Sequence, residues 1–175
     1  MSRIFSLRGK LELADNGVLG NELIFDYSSS DRTRAWKVLY SYVWPVEWWG
    51  VAIGGPGFYT LVSNLATDTY KVNQNEIADP SENRTIAWGQ QTYNHRDDNV
   101  HFLTPNGVPL GDMCMLNDPD SFVTKELYLN LGSATDVDVS NVREIGYLII
   151  LEERKVTPAE SVFQQIKGMG QDIDA

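Results

Sequence analysis

Residues 35–44 read AWKVLYSYVW. Trp36, Val38, Tyr40, Tyr42 and Trp44 take every second position, with Lys37, Leu39, Ser41 and Val43 between them. Side chains of a strand alternate sides with a period of two, so the spacing predicts a strand with an aromatic wall along one face. No helical period aligns the five, and aromatic and β-branched residues favour strands. Such a wall is either the spine of a β-sandwich core or a surface for stacking. Five large residues in register would expose an apolar patch of the kind monomers avoid unless it is functional. Most of the row, Trp36, Tyr40 and Trp44 above all, is therefore expected to be buried. Trp48 and Trp49 follow Pro45 and Glu47. Adjacent residues of an extended segment point opposite ways, so one of these tryptophans is expected outside, for an interface or ligand contact.

The same period recurs on both sides of the wall. Phe5, Leu7, Leu11 and Leu13 alternate with Ser6, Arg8, Lys10 and Glu12 over residues 3–13, and Asp15-Asn16-Gly17 then signals a turn. Residues 23–27, 58–65 and 85–93 are further strand candidates, with polar loops over 28–32, 73–84, 94–99 and 104–111. Val123, Leu127, Leu129 and Leu131 alternate again over 122–131. Residues 145–151 are apolar on both faces, which predicts a central strand covered on both sides. Eight or nine strands separated by turn signals predict an all-β fold, an antiparallel β-sandwich over residues 1–156. The remainder, 157–175, is a helix and tail. Thr157-Pro158-Ala159-Glu160 is a capping box with proline at the first helical position. Val162, Phe163 and Ile166 follow at helical spacing, and Gly168 is placed to stop the helix. An amphipathic helix this short is marginal alone, so its stripe must dock, either on its own domain or on a neighbouring subunit.

A chain of 175 residues with 42% apolar content buries a substantial core, roughly 70% of its unfolded surface. The formal net charge is −10, unevenly spread: residues 1–45 carry 6 basic and 5 acidic side chains, 46–125 carry 4 and 10, and 126–175 carry 4 and 9. An acidic surface repels phosphate backbones, so direct nucleic-acid binding is not expected. Cys114 is the single cysteine, which excludes an intrachain disulfide and a thiolate-rich zinc site. The N-terminus shows no signal peptide and no segment approaches the length of a transmembrane helix, so the expected location is cytoplasmic or a disulfide-free extracellular particle, with no membrane partner.

Chemistry-bearing clusters are sparse. His95, Asp97, Asp98 and His101 share a polar segment without a helical metal-binding spacing, and are read as solvated. Asp112, Asn117, Asp118 and Asp120, and separately Asp136, Asp138 and Asn141, are oxygen-rich but lack the calcium-loop pattern. Gly54-Gly55-Pro56-Gly57 lacks the lysine of a phosphate loop and is read as a turn. Glu152 and Glu153 are adjacent in a strand, point opposite ways and cannot act together. No nucleophile elbow occurs. The expectation is a protein that is not an enzyme, with no cofactor and no metal.

The strand KELYLNLG, the strand IGYLIILEE and the helix TPAESVFQQIKG after it give the chain a layout that resembles small single-jelly-roll structural proteins of viruses and phages. The resemblance implies eight strands packed as two sheets of a sandwich. It also implies a capsid-type structural subunit of a virion that self-associates and contacts other structural proteins. The interface candidates are then Trp48, Trp49, Val162, Phe163 and Ile166. The chain departs from capsid proteins with a basic N-terminal arm, since Arg3, Arg8 and Lys10 lie within a strand. The alternative is a soluble carbohydrate- or ligand-binding sandwich using Trp48 or Trp49 on a glycan.

Overall fold

The computed structural model describes residues 3–13, 20–27, 33–47, 57–67, 81–95, 114–135 and 143–169. Among these residues eight strands and one helix follow in chain order: β1 (Ile4–Leu13), β2 (Gly20–Asp26), β3 (Arg34–Glu47), β4 (Gly57–Ala66), β5 (Thr85–His95), β6 (Leu116–Asn117), β7 (Glu126–Thr135), β8 (Arg143–Lys155) and α1 (Pro158–Met169). They form two antiparallel sheets, one ordered β1-β8-β3 and the other β2-β7-β4-β5-β6. The strands pair from the outside inward: β1 with β8, β2 with β7, β4 with β5. The segment from Cys114 to Val123 completes the series by bridging β3 at Tyr42–Cys114 and Trp36–Val123. An eight-strand hairpin rolled up in this way is the jelly-roll layout, and the all-β sandwich with one C-terminal helix is confirmed.

Several boundaries differ from the sequence-based ones. The strand predicted over 122–131 begins at Glu126, because Val123 has turned to bridge β3 and the chain changes sheets there. His95 ends β5 and was expected in a loop. The helix runs through Gly168 to Met169, so the glycine does not stop it.

The core lies between the sheets. Ile145, Ile149 and Leu151 of β8 meet Leu61, Leu65, Leu127, Leu129 and Leu131 of the facing sheet, all buried. Each such side chain contributes about 1.5–3 kcal/mol when fully withdrawn from water. Trp36 joins the two layers. Its indole meets Phe5 of β1 edge-on at 4.8 Å, and Phe25 and Tyr27 at 5.9 and 5.6 Å. These edge-to-face contacts match the aromatic quadrupoles and add to the area term.

The aromatic wall does not form as one face. Val38 pairs with Leu151, but Tyr40 pairs with Ile150, so β3 advances two residues while β8 advances one. Leu39 is the extra residue of a β-bulge, and beyond it the side-chain alternation changes phase. Trp36 and Val38 face the core, followed by Ser41 and Val43. Tyr40, Tyr42 and Trp44 are turned to the outer face, where Tyr40 is 53% exposed and Tyr42 and Trp44 are half-buried. The expected burial of Tyr40 is thereby corrected; that of Trp36 holds, and Trp44 stays largely covered although it lies on the outer face.

Asn117 of β6 clamps the bulge. Its Nδ2 donates to the Leu39 carbonyl at 3.2 Å, and its Oδ1 accepts from Ser41 Oγ at 2.6 Å. The Met115 amide adds a hydrogen bond to the Ser41 carbonyl at 2.8 Å. A serine with no exposed surface is tolerated because Asn117 satisfies it; unpaired, such a group costs about 1–3 kcal/mol.

Two outcomes are expected in denaturant titrations. Trp36→Ala lowers stability by about 3–5 kcal/mol, as truncation of a large aromatic core residue does. Asn117→Leu lowers it by about 1–3 kcal/mol, and adding Ser41→Ala recovers part of that loss because the orphaned hydroxyl is removed. Additive losses in the double variant would show that the two side chains are not coupled.

Candidate interaction surfaces

The C-terminal helix is held at its start by the expected capping box. The Thr157 amide and hydroxyl donate to Glu160 Oε2 at 2.7 and 2.9 Å, and the Glu160 amide donates to Thr157 Oγ1 at 3.2 Å. Thr157 thereby holds the Glu160 carboxyl below its usual range, first through the backbone amide and then through the hydroxyl. One side of the helix rests on the domain: Ser161 is buried, and Gln164 Nε2 donates to the Asp120 carbonyl at 3.2 Å. The apolar residues lie elsewhere around the helix. Val162, Phe163 and Ile166 are 37%, 66% and 58% exposed. The helix is docked by its polar side, and the stripe expected to pack is left facing outward.

A second surface is the outer face of β1-β8-β3. Three rows cross it in register: Ser6, Ile150 and Tyr40; Arg8, Leu148 and Tyr42; Lys10, Gly146 and Trp44. The Tyr40 and Tyr42 rings are nearly parallel, 20° apart in plane with centroids 6.4 Å apart. Tyr42 stands beside Cys114 across the bridge. Burial, then the Cys114 thiol and the Tyr40 phenol, raise the Tyr42 pKa. Gly146 sits beneath Trp44: a Cβ there would come within 2.9 Å of the indole Cε2 and 2.8 Å of Val46 Cγ2. The missing side chain is what lets the indole lie across the sheet.

Charges around these surfaces are largely paired. Lys10 meets Glu144 at 2.6 Å, Arg34 meets Glu153 at 2.5 Å and Arg154 meets Glu152 at 2.9 Å. Glu152 and Glu153 thus serve separate ion pairs. Lys125 and Tyr128 donate to Glu126 and lower its pKa, the lysine more strongly. Exposed pairs of this kind contribute little each.

Asn117, grouped by sequence with the oxygen-rich loop, is the clamp of the bulge. In the same loop the Asp118 carboxylate accepts from the Asp120 amide and the Ser121 hydroxyl. Among the described residues no group of three His, Cys, Asp or Glu side chains is placed to hold a metal. His95 takes its place in the strand, whereas Asp97, Asp98, His101, Asp112, Asp136, Asp138 and Asn141 lie outside the described residues, as do Trp48 and Trp49. Sequence reasoning missed Tyr40, Tyr42 and Trp44 as surface residues. The alternation over 35–44 is unbroken and gave no local signal, because the contact at the bulge comes from Asn117.

The capping box gives the helix a defined pH response. A carboxyl whose folded pKa is lowered stabilises the fold above its unfolded pKa, and that contribution disappears as pH falls through the folded value. Helical circular dichroism should hold steady near neutrality and decline as pH falls below the ordinary glutamate range. In Glu160→Ala this step should be absent, and an unchanged step would assign it to another carboxyl.

No protein-family model matches the chain, and no curated protein matches it. A solved structure from Desmodium yellow mottle tymovirus aligns with 90% of this chain and 90% of its own, at 13% identity and a TM-score of 0.30. The likeness is weak and one of layout, and the superposition is loose. No helix among the described residues is long and apolar enough to cross a membrane.

Proposed function

We propose that this chain is a non-enzymatic structural subunit that self-assembles, with other structural proteins, into a virus-like or phage particle located in the virion. Assembly runs through the sandwich faces and the C-terminal helix. The observation that carries the reading is the helix itself. It is capped and anchored through Ser161 and Gln164, yet Val162, Phe163 and Ile166 face away from the domain. A short helix is marginal in isolation, and an outward apolar stripe on a fixed support is suited to a groove on another subunit. Leu23 on β2 and Leu116 on β6 add exposed apolar surface to the five-stranded sheet. Burying the three helix residues would contribute about 1.5–3 kcal/mol each. Association costs roughly 4–15 kcal/mol, of the same order as the gain from one helix, so a single helix contact is marginal and repeated contacts in a closed assembly strengthen it. The net charge of −10 supports contacts with protein rather than with a phosphate backbone.

Sedimentation of the full-length chain tests this. The wild type should form a large, symmetric, nuclease-resistant assembly. Phe163→Asp with Ile166→Asp should shift it to small species with little change in melting temperature, because both residues are exposed. A wild type that stays monomeric at high concentration, or a double variant that still assembles, would remove the helix from this role.

A further inference from the structure

We infer that two copies of this chain pair through their β1 edges, antiparallel about a two-fold axis at Lys10, with Arg8 of each copy opposite Glu12 of the other. The inference goes beyond the assembly proposed above and uses none of the helix residues. Among the described strands, β1 is the long edge that is left open. β2 is also an edge, but its register shifts between Leu23 and Phe25. β3 is bridged at Trp36 and Tyr42 by the segment 114–123, and β6, the last strand of the other sheet, is only Leu116–Asn117. A bulge or a short strand blunts an edge against pairing. β1 instead keeps one unbroken register with β8 from Ile4 to Leu13.

The ladder determines which groups face out. The Glu153 amide donates to the Arg3 carbonyl at 2.8 Å, so these two form a hydrogen-bonded pair. Every second residue from Arg3 then bonds to β8, and the even-numbered residues turn their amides and carbonyls to the open side. Ser6, Arg8, Lys10 and Glu12 also carry exposed side chains. Charge selects the occupant and its register. A symmetric antiparallel pair that overlaps most of β1 is centred on Leu7, Arg8, Gly9 or Lys10. Centring on Arg8 sets it against itself, and centring on Gly9 sets Arg8 against Lys10; like charges directly opposite are destabilising. Centring on Leu7 sets Arg8 against Ser6. Centring on Lys10 sets Arg8 against Glu12, twice by symmetry. Lys10 then faces Lys10 of the second copy, but each ammonium is held by Glu144 at 2.6 Å. On the core side this register puts Leu11 of one copy opposite Gly9 of the other. There the Tyr147 ring occupies the place of a side chain: a Cβ on Gly9 would come within 2.6 Å of the phenol oxygen. The overlap is about 24 Å long and the side of the two-sheet sandwich about 20 Å thick, roughly 480 Å² with about six backbone hydrogen bonds. A stable interface takes about 800 Å² from each partner, so this pairing is a weak contact that a cross-link must trap.

The test is a disulfide across the axis in the full-length chain, with Cys114→Ser to remove the native thiol. Opposite Cα atoms of a hydrogen-bonded antiparallel pair are about 5.5 Å apart, within disulfide range, so Lys10→Cys should give a covalent dimer on mild oxidation. Ser6→Cys, whose two copies lie about 27 Å apart in this register, should not. Arg8→Glu added to Lys10→Cys should lower the dimer yield about tenfold, and further addition of Glu12→Arg should restore it. Arg8 and Glu12 of one copy are about 14 Å apart along the strand, so that rescue can arise only between copies. Absence of a dimer from Lys10→Cys would overturn the inference, as would an equal yield from Ser6→Cys or a charge reversal that Glu12→Arg does not rescue. Large assemblies without the cross-link would overturn the pairing and leave the assembly role standing. The cross-link in a chain that forms no large assembly would do the reverse.

Discussion

The amide of Asn117 determines which way half of β3 faces. A bulge is an unpaired residue in a ladder, and its carbonyl must find a donor or lose a hydrogen bond. Asn117 supplies that donor to Leu39, and its oxygen takes the hydroxyl of Ser41, which would otherwise be a buried orphan. With the bulge in place the core receives Trp36, Val38 and Val43, and the outer face receives Tyr40, Tyr42 and Trp44. Without it, an unbroken alternation would drive four large rings into a space between sheets about 10 Å deep.

The same residue belongs to the segment that ties the two sheets together. Residues 114–123 bridge β3 at both ends, while Leu116 and Asn117 pair with Trp88 and Ala87 of β5. The Asp118 amide adds a bond to the Ile86 carbonyl, and Lys37 Nζ reaches the Pro119 carbonyl at 2.6 Å. The sixth strand of the roll is thus divided between the layers. At the Val123 end of this segment Trp36 adds packing, with rings from β1 and β2 against its indole. Hydrogen bonds and aromatic contacts thus join the layers together, and both depend on the path of β3.

Polar contacts rather than apolar burial seat the helix. Thr157 and Glu160 satisfy its first donors, and Ser161 and Gln164 face the domain. Tertiary burial usually goes to the most apolar stripe of a helix. Here that stripe is outside, and the domain is met instead by the buried Ser161 and by Gln164, which donates to the Asp120 carbonyl. The aromatic patch and the helix stripe are therefore separate apolar surfaces with separate supports.

Period and local chemistry alone determined a good part of this protein. Alternation in 3–13, the apolar run at 145–151 and the capping box at Thr157 each follow from interactions between near neighbours and each element forms, although β8, central in its sheet, has only Ile145, Ile149 and Leu151 in the core while Leu148 and Ile150 on its outer face are half-buried. What alternation could not show was its own interruption. The bulge at Leu39 exists because Asn117, 78 positions away, reaches the carbonyl, and no window around 35–44 contains that information. The same holds for Val123, whose bridge to Trp36 shortens the strand predicted over 122–131, and for Val162, Phe163 and Ile166. Amphipathic spacing showed that these three share a face; only the packed domain decided that this face looks outward. Local sequence dictates which residues share a side, and tertiary hydrogen bonding decides which side is buried.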